Sequence, residues 1–152
     1  MGEVLHISAI IMLVADGLWA GVIFFYAVER VNLWRRMPID QFVVDFRRSL
    51  YRADPLQPIM GGVAMIAAVV FALNAPATAA VLAWVGAALI LFVIVMSIAF
   101  PERINSLFRR RAEGEAPPQI EQLRTRWRRL HYTRTPPAIL SLVVLAAAAV
   151  WS

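Results

Sequence analysis

The sequence predicts an all-α protein: a four-transmembrane-helix bundle with interfacial amphipathic helices in the two connections on one side. Three observations predict it. The chain is 61% hydrophobic and only 16% charged over 152 residues, whereas soluble domains average roughly 45–50% apolar and about 25% charged. It contains four apolar runs. All fifteen basic residues are Arg, and every one falls within 30–52 or 103–134, between those runs. The same composition excludes disorder as the main state. With no Cys, a disulfide scaffold, a cysteine nucleophile and a thiolate metal site are excluded too. The length fits one integral membrane domain, residues 1–152.

The runs are read as spans at about 4–28, 59–73, 78–100 and 138–151. The first and third exceed the ~20 residues a helix needs to cross a hydrocarbon core. The second and fourth are short, covering little more than ~20 Å at about 1.5 Å per residue, and each has helical sequence upstream to lengthen it. None alternates with period two, as a membrane barrel requires. Ahead of the first span stands only Glu3, the turn Asn74-Ala75-Pro76-Ala77 is uncharged, and Ser152 ends the chain. Both Arg-bearing connections therefore share a side. The positive-inside rule makes that side cytoplasmic and both termini external, with a bacterial inner membrane as the expected location. The first span lacks a basic leader and is too long for a cleaved signal peptide. No Ser or Thr stands at position 6 to complete a myristoylation signal.

The connections carry helices of their own. In 30–58, Phe42, Val43, Phe46 and Leu50 make an amphipathic face suited to the membrane interface. Pro38 and Asp40 mark its start and Asp54-Pro55 its end. In the second connection the chain turns at Gly114-Glu115-Ala116-Pro117-Pro118. A helix then restarts, with Ile120, Leu123, Trp127 and Leu130 on one stripe. Pro136-Pro137 predicts a kink or break before the last span. Gly17 and Gly21 form a GxxxG, which predicts close helix packing. Arginine flanked by apolar runs points to an anionic lipid surface rather than to nucleic acid; an oligomer is left open.

A few polar residues need a reason. Asp16 sits mid-span, where a carboxyl costs roughly 2.5–3.5 kcal/mol on insertion scales. It is read either as a proton- or ligand-contacting group or as a structural hydrogen bond between helices. Glu29 ends the first span beside Arg30: a base or metal ligand at a cavity mouth, or an interfacial ion pair. Trp127, His131 and Arg134 are spaced by four and three, on one helix face. His131 suits acid–base work near neutral pH, or it is an interfacial histidine against an aromatic. Asn105 caps a turn or orients a substrate oxygen. The other tryptophans, Trp19 among them, are read as membrane-belt and packing residues. No phosphate loop, nucleophile elbow or zinc-protease motif is present.

Four segments carry a family resemblance: Tyr26-Ala27-Val28-Glu29 at the end of span one, Tyr51-Arg52 before span two, Ile104-Asn105-Ser106-Leu107 after span three, and Trp127-x3-His131-x2-Arg134 leading into span four. Together they resemble the DUF1772 family of small four-helix membrane proteins, which includes the anthrone oxygenases of aromatic polyketide pathways. Two departures stand out: Pro101 lies three residues before Ile104, and no Pro follows Glu29. The resemblance implies an oxidoreductase acting with O2 on a hydrophobic aromatic molecule, and it suggests no cofactor. It implies His131 or Glu29 as base, Arg134 and Asn105 as stabilisers of an enolate oxygen, Trp127 as a stacking wall, and Tyr26 and Asp16 as further substrate contacts. A metal held by Glu29, Asn105 and His131 stays open, since that set suits iron, copper or zinc. The competing reading is a non-catalytic membrane subunit, chaperone or small transporter component. A transport path would want more polar groups at the depth of Asp16 than the spans offer.

Overall fold

The computed structural model describes residues 2–152. One rod, Gly2–Arg36, is built from α1 (Gly2–Phe25), a π-helical turn at Tyr26–Arg30 and α2 (Val31–Arg36). Then follow α3 (Ile39–Arg52), α4 (Leu56–Asn74), α5 (Ala77–Ala99), α6 (Pro101–Arg109) and α7 (Ile120–Val150). Among the described residues there is no strand. Four helices are long and apolar enough to cross a membrane, and the chain is an integral membrane four-helix bundle. The interfacial placement of α3 and of the first turns of α7 rests on their amphipathic sequence.

The punctuation follows local rules. Met37, ahead of Pro38, is extended and ends α2. Asp54-Pro55 separates α3 from α4, and Pro76 and Pro101 open α5 and α6, where a missing N–H costs nothing. Gly114 takes φ +81°, the left-handed geometry that the turn before α7 requires.

The spans pack in a ring, α1 on α4, α4 on α5, α5 on α7 and α7 on α1. Their core is rich in small residues, including Ala64, Ala68, Ala79, Ala83, Ala138 and Ala148. Small residues let membrane helices approach closely, where packing rather than a hydrophobic driving force holds them. The close approaches are at Gly61, over which the Trp19 indole lies, and Gly86, which receives Leu145. The expected GxxxG contact is corrected: Gly21 is exposed with open space beside it, and Gly17 only reaches Leu142 at ordinary distance.

Of the expected kink or break at Pro136-Pro137, the break is corrected, because both lie inside a continuous α7. The buried residues of that helix are Trp127, His131, Arg134, Thr135, Ala138, Ser141, Leu145 and Ala148. Apart from Thr135 they recur at alternating steps of four and three, a single seam facing α1 and α5. Packing along that seam on both sides of the prolines holds the helix where local propensity would end it.

Both Arg-bearing connections fold onto the same end of the bundle. There Trp34, Phe42, Phe46, Phe108 and Trp127 form a second, aromatic core. Trp34 meets Phe46 at 5.1 Å and Trp127 at 5.4 Å, edge to face in both cases, the geometry that aromatic quadrupoles favour.

Candidate functional site

Where the aromatic core meets the membrane core, a cavity of about 400 Å³ opens among α1, the α3–α4 turn, α5, α6 and α7. Its walls are apolar, with Leu50, Ile94 and Ile98 among them. Its polar groups include Asp54, Asn105, Arg109, Glu102, Ser97 and Arg134. The volume lies in the roughly 300–1,000 Å³ range of small-molecule sites. A crevice on α7 lined by Trp127 and Arg124 holds only about 60 Å³, too little for a fused aromatic ligand.

Arg134 is the central feature. It is 6% exposed, and among the described residues no carboxylate lies within ion-pair distance of it. Its Nε and Nη2 donate to His131 Nδ1 at 3.3 and 3.0 Å, and its Nη1 donates to Ser97 Oγ at 3.0 Å. A guanidinium has five N–H groups and no acceptor, so donors remain for the cavity.

The same contacts define His131. Arg134 can only donate, so Nδ1 is the acceptor and the ring is neutral with its proton on Nε2. That proton goes to the Ile23 carbonyl, 2.9 Å away. Trp127 stacks on the ring with centroids 4.9 Å apart and planes 19° apart. His131 therefore stands behind Arg134 with both nitrogens engaged, and it does not line the cavity.

A second chain of contacts runs along the polar end. Trp127 Nε1 donates to Asn105 Oδ1 at 3.0 Å, which orients that amide, and Asn105 Nδ2 donates to Asp54 Oδ2 at 3.3 Å. Arg109 pairs with the same Asp54 oxygen and with Glu102, so Oδ1 of Asp54 is left for the cavity. Asp54 sits in the turn ahead of the membrane-spanning α4. Burial pushes its carboxyl above the ordinary value of 3.8, and the Arg109 charge opposes that shift. Hydrogen bonding to Glu102, more than its pairing with Asp54, pushes Arg109 upward and keeps it charged.

The residues expected from sequence are thus distributed unequally. Arg134 and Asn105 line the cavity, while His131 and Trp127 support them. Tyr26 is buried beyond His131, its ring 6.1 Å from the imidazole, and is not a wall. Glu29 is corrected out of the group: it projects from the outer face of the π-helical turn, half exposed, beside Arg30 at 3.5 Å. Asp16 is fully buried in the membrane core, away from the cavity. The Ser141 hydroxyl lies 3.1 and 3.2 Å from its two oxygens, an interhelical structural bond.

The metal reading does not fit either. Among the described residues no three His, Asp or Glu side chains converge as a ligand set. Glu29 is elsewhere, and the free lone pair of His131 is occupied by a guanidinium.

Asp54 and Arg109 were missed as site residues. Asp54 reads in sequence as a helix terminator, and its partners lie 51 and 55 residues away, so no local spacing signals them.

No curated protein and no solved structure matches the chain. A family model described as anthrone oxygenase matches residues 46–150, a segment that contributes Asp54, Asn105, Arg109, Trp127, His131 and Arg134. The match takes in more than half of the chain, and the chain belongs to the anthrone oxygenase family.

Proposed function

We propose that this protein oxidises an anthrone-like aromatic substrate with O2 in the cavity beneath Arg134. The observation that carries the reading is a buried guanidinium at the polar end of an apolar cavity, with no carboxylate within ion-pair distance among the described residues, inside the family-matched segment. An anthrone has an acidic C–H bond between two aryl rings and a carbonyl opposite it. Oδ1 of Asp54 takes the C–H proton, and the charge moves to the carbonyl oxygen. Arg134 binds that enolate oxygen more tightly than the neutral carbonyl, which lowers the barrier. The enolate gives an electron to O2, and the two radicals combine to form a C–O bond. Asp54 returns its proton to the peroxide, and loss of the second hydrogen with O–O cleavage then leaves the new carbonyl and releases water. The sum is anthrone plus O2 to quinone plus water.

His131 is assigned a positioning role in this scheme instead of the base. Its neutral tautomer, tied to the Ile23 carbonyl and stacked on Trp127, fixes the guanidinium. We further infer that the Arg-rich end faces the cytoplasm of a bacterial inner membrane, with both termini outside. The apolar substrate then arrives through the lipid, and nucleic acid has no part.

The test is O2 uptake with an anthrone in detergent-solubilised protein. Wild type consumes O2 in proportion to quinone formed, and Arg134→Gln does not. Equal rates in the two proteins would remove the enolate role of Arg134 and with it the proposal.

A further inference from the structure

Three tryptophans are buried: Trp19, Trp34 and Trp127. Buried indoles normally place their N–H on an acceptor, and two of these do. Trp34 Nε1 donates to Asp45 at 2.7 Å and Trp127 Nε1 to Asn105 at 3.0 Å. Trp19 is only 4% exposed, yet among the described residues no acceptor meets its Nε1. No fully enclosed side-chain nitrogen lacks a partner, so this N–H is open to space. Trp19 lines the cavity, which brings open space to its ring.

Its position follows from helix register. Ile23 lies level with His131, and Asp16 with Ser141. Trp19, four residues before Ile23, is one turn deeper in the membrane, about 6 Å at the α-helical rise. The ring is held there by Gly61: a Cβ at that position would stand 3.0 Å from both Nε1 and Cε2 of the indole. Arg134, three residues past His131 on the antiparallel α7, stands about 4.5 Å deeper by the same rise and turns its guanidinium back to His131 and Ser97, so Trp19 adds a separate donor from α1.

We propose that the Trp19 indole N–H is a second, specificity-determining contact. It receives an oxygen acceptor, a hydroxyl or carbonyl, of an aromatic ligand other than the oxygen held by Arg134. The proposal rests on the reading of the cavity as a substrate site. Trp19 lies outside the family-matched segment.

The experiment compares equilibrium binding of 2-hydroxyanthraquinone and unsubstituted anthraquinone to the solubilised full chain, without turnover. Both carry a carbonyl for Arg134, and only the first carries the outer-ring oxygen. Wild type is expected to favour the hydroxylated compound by about tenfold, the effect of one added hydrogen bond in a dry site. Trp19→Phe keeps an aromatic ring, removes the N–H and abolishes the preference. Gly61→Ala retains the N–H but displaces the ring and lowers the preference. A preference unchanged in Trp19→Phe, or absent from wild type, overturns the proposal. Anthrone oxidation that proceeds while Trp19→Phe keeps full preference removes only this subsite. A Trp19-dependent preference in a protein that does not oxidise anthrone keeps the subsite and removes the oxidation.

Discussion

The two halves of the bundle are packed by opposite means. The membrane half is filled with alanine and closes on itself, with Asp16 and Ser141 as its polar pair. The other half is filled with large aromatic rings, and between them arginine, asparagine and aspartate reach a shared cavity. Small side chains bring helices together and leave no room for a ligand. Rings at the end of the bundle hold the helices apart and supply rigid walls on which polar side chains can be oriented. The difference assigns stability to one half and chemistry to the other, and substitutions can break that division.

The largest effect is expected at Asp54. Asp54→Asn removes the proposed base, and a drop of about 10²–10⁴ in kcat is the usual scale for such a loss. Its pH dependence is the sharper test. The reaction needs the carboxylate, so the rate climbs with pH on the acid side. Burial raises the folded-state value, so the midpoint of that limb lies above the ordinary 3.8, and Asp54→Asn lacks the limb. Stability moves in the opposite sense. The folded protein holds this proton more tightly than the unfolded chain, so the protonated form contributes stability that is lost as pH rises through the folded value. A pH–rate profile identical in both proteins assigns the limb to another group.

Next is the guanidinium. Arg134→Gln is expected to lower kcat by about 10²–10³, the scale for losing an oxyanion donor. Arg134→Lys restores a charge without the planar fork that binds His131 and Ser97 together, and it recovers little of the rate. A full rescue by Lys, measured as O2 uptake, would reduce the role of Arg134 to a point charge.

Much of this division was legible in the sequence. Apolar length and the clustering of arginine give the spans and their common end, because both are one-dimensional quantities. Pro38 and Asp54-Pro55 bracket α3 correctly, and the stripe through Trp127 continues as the buried seam of α7. What escaped depends on three dimensions. Pro136 and Pro137 are helical because packing on both sides overrides propensity. The π-helical turn shifts register after Phe25, so Tyr26 and Ala27 are buried and Glu29 faces outward beside Arg30, the interfacial ion pair of its two readings and not the cavity-mouth carboxylate. Asp54 looks like punctuation until α6 brings Asn105 and Arg109 to it. Trp19 looks like a belt residue until Gly61 is seen to make room for its ring.

In the membrane half, away from Trp19 and Gly61, the expected effects fall on stability alone. A Cβ at Gly86 would enter the space of the Leu145 side chain. Overpacking a tight core in this way costs about 1–3 kcal/mol. Gly86→Ala should therefore unfold at lower denaturant while folded protein turns over at the wild-type rate. Adding Leu145→Ala makes room and recovers part of the loss. A catalytic defect in correctly folded Gly86→Ala would show that the two halves are coupled.

The smallest effect is expected at the buried polar pair. Asp16 meets Ser141 and no other side chain by hydrogen bond. The Ser141 hydroxyl also lies 2.8 Å from the Ala138 carbonyl, and its single proton cannot fully serve both neighbours. A carboxyl that donates to Ser141 lets the hydroxyl donate onward, which satisfies all three groups without a buried charge. Asn can donate in the same place, so Asp16→Asn should leave turnover unchanged. Interhelical hydrogen bonds in membranes average only about 0.6 kcal/mol by double-mutant cycle, and a cycle over Asp16→Asn and Ser141→Ala should return a coupling no larger than that. Loss of O2 uptake in folded Asp16→Asn would instead place a working proton in the half assigned to packing.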